Sequence, residues 1–214
     1  MATAALLTLA DSRLPAGAHA HSGGVEQAVA AGVVIDAATL VAFLLRRLTT
    51  AGAVSAGLAA AACEAAGDAA RLTALDEEAD ARTPSPALRT ASRQQGRGLV
   101  RVARRAWPSP AWNALPALSH HPIALGVAAA AGGLSAREAA QVAAYLSISG
   151  PATAAQRLLA MDPLTVAAAT ARLSPDVDAV AEAAGATGLP AATDPLLDLL
   201  AEVHAARKDR FFAS

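Results

Sequence analysis

Histidine is the residue type in this chain best suited to chemistry, and four of its five histidines come in pairs. His19 and His21 are separated by one residue, and His120 and His121 are adjacent. Imidazole binds Ni²⁺, Zn²⁺ or Cu²⁺ well. Two nitrogens are nonetheless an incomplete ligand field, and no third ligand stands at a metal-binding spacing. No metal site is therefore assigned; His19, His21, His120 and His121 are the candidate ligands. Ser22, with His21 and Asp11, supplies the residue types of a nucleophile, a base and an orienting acid. The simpler reading makes Ser22 the N-cap of a helix that carries Glu26. The sequence contains no GxSxG elbow, Walker A loop, HExxH helix or dinucleotide glycine fingerprint. It does not read as an enzyme.

Charge is segregated along the chain. From Thr83 to Pro110 there are six arginines (Arg89, Arg93, Arg97, Arg101, Arg104, Arg105) and no acid. Five recur every fourth residue, which on a helix makes a slowly drifting stripe about 24 Å long. Between Asp176 and Glu202 there are six acids and no base. One reading pairs the stripe with these acidic helices inside the fold. The other makes it a docking strip for an acidic partner or a phosphate, to which the fork of arginine is suited. Arginine supplies 16 of the 17 basic residues, so its use here reflects a general bias, whereas the clustering does not. Gly96 and Gly98 lie within the same helical stretch, where each costs about 1 kcal/mol relative to Ala. They imply close approach of another backbone, either within the domain or across a dimer contact.

The elements that must position these residues are helical. At 214 residues, the chain can bury one large core. Hydrophobic residues make up 54% and aromatics only 3%, with mean hydropathy +0.37. Packing must therefore come from close approach of alanine-rich helices. No segment alternates with period two, whereas Leu40, Phe43, Leu44 and Leu48 follow helical spacing after Asp36, a natural N-cap. Ser135 and Glu138 form a capping box for a helix that turns Val142, Tyr145 and Leu146 inward. Asp162-Pro163, Ser174-Pro175 and Asp194-Pro195 each place a cap before Pro. Gly32, Gly67 and Gly132-Gly133 are stops. The expectation is one all-α domain, 1–214, of about eight to ten helices. An extended segment spans 11–22, a linker spans 185–193, and a short tail spans 207–214. Phe211 and Phe212 in that tail should dock on something.

A net charge of -1 gives no global pull toward nucleic acid or an anionic membrane. The single Cys63 fits a reducing compartment. The start lacks a basic n-region, and the longest apolar stretch, Ala51 to Cys63, is shorter than a spanning helix needs. The expected location is the cytoplasm.

Both ends of the chain resemble one family. Leu14-Pro15-Ala16-Gly17, His19, and His21-Ser22-Gly23-Gly24-Val25-Glu26 resemble the N-terminal signature of the UreF family, Leu-Pro-x-Gly, an aromatic, one residue, Tyr or His, Ser, then Gly-Leu-Glu. Glu202-Val203-His204 and Arg210-Phe211-Phe212-Ala213-Ser214 are similar to its terminal His-Glu and Arg-Leu-Phe-x-Ser. Leu88-Arg89 with Gln94-Gln95-Gly96 resembles an internal Glu-Leu-Arg…Gln-x-Gly helix, with Ala87 in place of the Glu. His120-His121-Pro122-Ile123-Ala124-Leu125-Gly126 and Ala154-Ala155-Gln156-Arg157-Leu158-Leu159 match two further segments. His19 stands where the family has an aromatic, which keeps a planar ring and adds titration near neutral pH.

The resemblance implies an all-α, homodimeric urease-maturation chaperone. Its partners would be a UreD/UreH-type scaffold, a UreG-type GTPase and apo-urease. Nickel would be cargo in transit, with no tightly bound cofactor. The partner-binding residues would be Arg210, Phe211, Phe212, Ser214, His19, Glu26, Arg89, Arg93 and Arg97, with the tail Arg210 near His19 and Glu26 either favouring its helix dipole or meeting Arg210. Leu14, Pro15, Gly17, Ser22, Gly96 and Gly126 would be structural. The alternative from another class is an all-α ligand-sensing transcription regulator that binds DNA through the basic 89–105 helix.

Overall fold

Helix starts are written into the chain as short polar side chains. The computed structural model describes residues 3–11, 14, 20–185 and 188–212, and no strand occurs among them. Eleven α-helices are described. They are α1 (Thr3–Ala10), α2 (Val25–Ala30), α3 (Ala37–Arg47), α4 (Ala53–Glu64), α5 (Ala69–Ala81) and α6 (Pro86–Ala106). There follow α7 (His121–Ala131), α8 (Ala136–Leu158), α9 (Pro163–Arg172), α10 (Ser174–Ala183) and α11 (Pro195–Ala206). Asp36 opens α3 by accepting from Thr39 N–H at 2.9 Å, and the Ser135–Glu138 capping box opens α8. Asp162 and Asp194 cap α9 and α11 ahead of Pro, as expected. Ser174 does not cap: the N-cap of α10 is Leu173, and Ser174 is already helical. That single residue separates α9 from α10, which helps bring the count above the expected eight to ten.

The core is built on α4, α7 and α8. α4 buries Val54, Ala56, Gly57, Leu58, Ala59, Ala60, Ala62 and Cys63, mostly small side chains. Small residues let helix axes approach closely, so backbone meets backbone where α4 crosses α7. A Cβ at Gly126 would stand 2.4 Å from Ala59 O and 2.7 Å from Cys63 N. Larger side chains close the ends of this slab, with Leu40, Phe43, Leu44 and Leu48 all buried, as their spacing required. Tyr145 departs from expectation: it is 39% exposed, while Val142 and Ile148 on the same helix are buried. The buried face of α8 is carried largely by alanines, among them Ala139, Ala140, Ala143 and Ala144.

α3, a π-helical turn at Leu48–Gly52, and α4 form one continuous helical run, Ala37–Glu64. At 28 residues, with a window of mean hydropathy 1.3, it is long and apolar enough to cross a membrane by length and composition. The same run carries Arg46 and Arg47 in the last turn of α3 and places α4 in the core.

Candidate partner-docking site

α2 starts at Gly24, whose backbone is left-handed (φ 89°) and which makes no side-chain cap bond. Ser22 is buried and is not the N-cap, a correction to the sequence reading. Two residues into the helix, the carboxylate of Glu26 is 3% exposed. It gathers three donors from the other end of the chain. His204 Nε2 lies 2.9 Å from Oε2, Phe211 N–H donates to Oε1 at 2.8 Å, and Phe212 N–H donates to Oε2 at 3.0 Å. Burial pushes the pKa of Glu26 up. The two tail amides and His204 outweigh burial and hold it below the usual carboxylate range. An ionised carboxylate only accepts, so His204 presents Nε2–H to it.

This latch joins residues 178 positions apart. His204 is buried on the inner face of α11 with Leu197, Leu200 and Ala201. Arg207 strengthens the seam, with Nη1 donating to Gln27 Oε1 at 3.2 Å and Nε to Asp209 Oδ1 at 3.1 Å. Arg210 does not meet Glu26, contrary to one expectation. It lines a shallow hollow with Pro86, Thr90 and Gln94 of α6 and Glu202 of α11.

The two phenylalanines part company. Phe212 packs against the core edge, whereas Phe211 is 85% exposed. Leu199 and Val203, one turn apart on the outer face of α11, are also exposed. The tail is thus docked within its own chain while Phe211 and the outer face of α11 present exposed apolar side chains.

The basic stripe on α6 divides in two. Arg93 donates to Asp76 Oδ2 at 2.9 Å, to Asp80 Oδ2 at 2.5 Å and to Leu118 O at 2.5 Å. Arg89 reaches Thr83 O at 2.7 Å and lies 3.9 Å from Asp80. Both are held by α5. The acids between 176 and 202 serve other partners: Asp194 pairs with Arg46, Glu182 with Arg137, and Asp178 accepts from Gln141. Glu202 accepts from Ala87 N–H at 2.9 Å and from the Ser85 hydroxyl. The expected pairing of stripe with acidic helices is thereby replaced by a local α5–α6 network. Arg97, Arg101 and Arg105 are exposed.

His120 belongs to the same network. Its backbone N–H donates to Asp76 Oδ1 at 2.7 Å. Its ring nitrogens lie 3.0 Å from Ser92 Oγ and 2.9 Å from Asp80 Oδ1. The Ser92 hydroxyl also accepts from His121 N–H at 3.1 Å. Both ring nitrogens of His120 are thus occupied, which makes it a poor ligand. Gly96 completes the junction: a Cβ there would stand 2.2 Å from Ser119 O. The close backbone approach that the helix glycines predicted is this contact within the chain. Arg93→Ala removes one donor each from two carboxylates and a carbonyl at once. It should lower stability by about 3 kcal/mol, read as a lower midpoint in urea with unchanged slope.

His21 and His121 both line a cavity of about 390 Å³ together with Leu14, Arg47 and Phe212. Burial, reinforced by His21, pushes the His121 pKa down to about 4. No group of three or more His, Cys, Asp or Glu that could hold a metal occurs among the described residues. Pro15, Gly17, His19 and Ser214 lie outside the described residues.

The UreF family model matches residues 34–174. The chain belongs to the UreF family. It is 54% identical over 211 residues to the urease accessory protein UreF of Mycolicibacterium vanbaalenii, covering 99% of this chain and 98% of that one. It is 53% identical over 212 residues to the UreF of Mycobacterium sp. strain JLS, covering 98% and 97%. To the UreF of Mycobacterium tuberculosis H37Rv it is 50% identical over 211 residues, covering 99% and 98%. These relatives carry the name urease accessory protein. Within the UreF frame, the N-terminal signature supplies Glu26 and the terminal signature supplies His204, Phe211 and Phe212. Sequence reading carried Glu26 as a partner-binding residue and missed His204. The signal was present, since each matching end holds one ionisable group that the fold buries.

Proposed function

We propose that this chain is an adaptor for urease maturation that works as a homodimer in the cytoplasm. In this reading it binds a UreD/UreH-type scaffold and a UreG-type GTPase, and the assembly inserts nickel into apo-urease. Nickel is cargo and this chain has no resident cofactor. The observation that carries the reading is the tail, where Glu26 fixes the backbone of Phe211 and Phe212 while the Phe211 ring is left in water. An aromatic held out on a fixed backbone, in a chain end that also exposes Leu199 and Val203 on α11, has the makeup of an interface hot spot. Its ordering has been met in advance, so a partner gains the full burial of the ring. The DNA-binding alternative loses support because Arg89 and Arg93 are spent on Asp76 and Asp80.

Co-expression with the scaffold and the GTPase, read by size-exclusion with light scattering, tests the proposal. A ternary complex is expected. Removal of residues 207–214 should abolish it while far-ultraviolet circular dichroism keeps its helical signal. Full binding by the truncated chain would sink the docking role of the tail.

A further inference from the structure

The second half of α6 carries positive charge that nothing in the chain answers. Arg97, Arg101, Arg104 and Arg105 are exposed, and none of them pairs with a carboxylate among the described residues. At 3.6 residues per turn the four fall within an arc of about 100° on one side of the helix, and Arg97 to Arg105 spans about 12 Å. Arg104 Nη2 donates to Trp112 O at 2.8 Å, which steadies the side chain without cancelling its charge. The segment from Thr83 to Pro110 contains no acid. The acids that α5 offers are spent a turn earlier, where Asp76 and Asp80 hold Arg93 and Asp80 lies 3.9 Å from Arg89.

A fifth cation extends the row. Arg210 is exposed and lines a hollow with Thr90 and Gln94. Residues 90, 94, 97 and 101 advance by four, three and four, so they share one helix face. The acid in that hollow, Glu202, is engaged at the start of α6 by Ala87 N–H and the Ser85 hydroxyl. Like charges four residues apart on one face repel and weaken their helix. The free chain bears that cost, and an anionic partner would relieve it.

We propose that this face binds an acidic helix of a partner protein, whose carboxylates recur every fourth residue against Arg97, Arg101 and Arg105. Two helices share the same rise, so both rows repeat at about 6 Å. The arginine fork suits a carboxylate. A DNA duplex fits less well. With a net charge of -1 the chain offers a long polyanion no attraction beyond the row, whereas a short helix meets the row alone. In the adaptor reading this face takes one of the partners. Binding is measured on the isolated chain, so its failure would leave that reading standing.

The test is fluorescence anisotropy with a fluorescein-labelled, hydrocarbon-stapled alanine helix bearing glutamate at every fourth position, titrated with the full chain at pH 7. Saturable binding is expected in about 20 mM sodium chloride, weakening about tenfold at about 150 mM as the exposed charges are screened. Arg97→Gln combined with Arg101→Gln should weaken it about tenfold. Arg71→Gln combined with Arg172→Gln removes the same charge from exposed sites on α5 and α9 and should change it less than about twofold. No saturable binding by the parent chain at low salt would overturn the proposal. Equal loss in the two double variants would do so too, since net charge alone would then account for the attraction. Tighter binding of a labelled DNA duplex than of the peptide would replace the acidic helix with nucleic acid. The parent titration and the duplex comparison decide the matter even where a variant fails to fold.

Discussion

Replacing Glu26 with alanine is expected to free residues 207–212 from the body of the protein and to lower its stability by about 3 kcal/mol. One carboxylate satisfies His204 and the backbone N–H groups of Phe211 and Phe212. The two amides can recover water by undocking. His204 cannot, because it is 1% exposed on the inner face of α11, and a buried donor left unpaired costs about 1–3 kcal/mol. The loss of Phe212 packing against the core adds the remainder. For a chain of this size, the unfolding temperature should fall by about 6–12 °C. Hydrogen exchange at Phe211 and Phe212 should rise to the rate of an unprotected chain. Glu26→Gln retains one carbonyl acceptor and should lose about half as much. Tail amides as protected in Glu26→Ala as in the parent would show that something other than this carboxylate holds them.

Acid should imitate that substitution. Glu26 titrates below its ordinary value in the folded chain, since the tail amides and His204 outweigh burial. A depressed carboxyl binds its proton less readily folded than unfolded. Its contribution is therefore complete above the unfolded value of about 4.3 and drains away as pH falls through the lower folded value. The amide resonances of Phe211 and Phe212 should hold their positions from pH 7 to about 5 and then move together toward unstructured values. In Glu26→Gln, this acid step should vanish. Movement that sets in between pH 6 and 7 would assign the latch to a different group.

Much of this arrangement could be read from the chain, and the exceptions share a cause. Helix starts were legible at Asp36, Ser135, Asp162 and Asp194 because capping is local: the side chain bonds an amide two or three residues away. Ser174 failed as a cap because Leu173 already occupies that position, so the helix begins one residue earlier than the Ser-Pro pair suggests. Tyr145 was misplaced because period alone selects a face. In an alanine-rich helix, most of that face is taken up by small side chains. Pairings between distant elements were not legible. Nothing in the spacing indicates that Arg46 finds Asp194 or that Asp76 and Asp80 are held by Arg93. The segregation of charge along the sequence even suggested the wrong partners. Glu26 and His204 lie at opposite ends of the chain, and only their common place in the terminal signatures hinted that they meet.

Gly126→Ala is expected to be one of the most damaging single methyls that can be added to the core. Most overpacking is relieved by turning a side chain, at a cost of about 1–3 kcal/mol. Here the new Cβ would meet Ala59 O at 2.4 Å and Cys63 N at 2.7 Å, both backbone atoms of α4, besides Ala62 Cβ at 2.6 Å. Neither backbone atom can rotate away, so α7 must move off α4 along a crossing rich in alanine. Separation there would open gaps beside Ala59 and Ala62, and close-packed small residues have no flexible atoms to fill them. The expected loss is at least about 3 kcal/mol, the upper part of that range, measured as the shift of the urea midpoint. Adding Ala62→Gly removes only the side-chain clash and should restore a minority of the loss. Full recovery in the double variant would show that the methyl of Ala62, and not the backbone of α4, sets the distance between the two helices. A single variant as stable as the parent would mean that α4 and α7 stand further apart than the crossing at Gly126 requires.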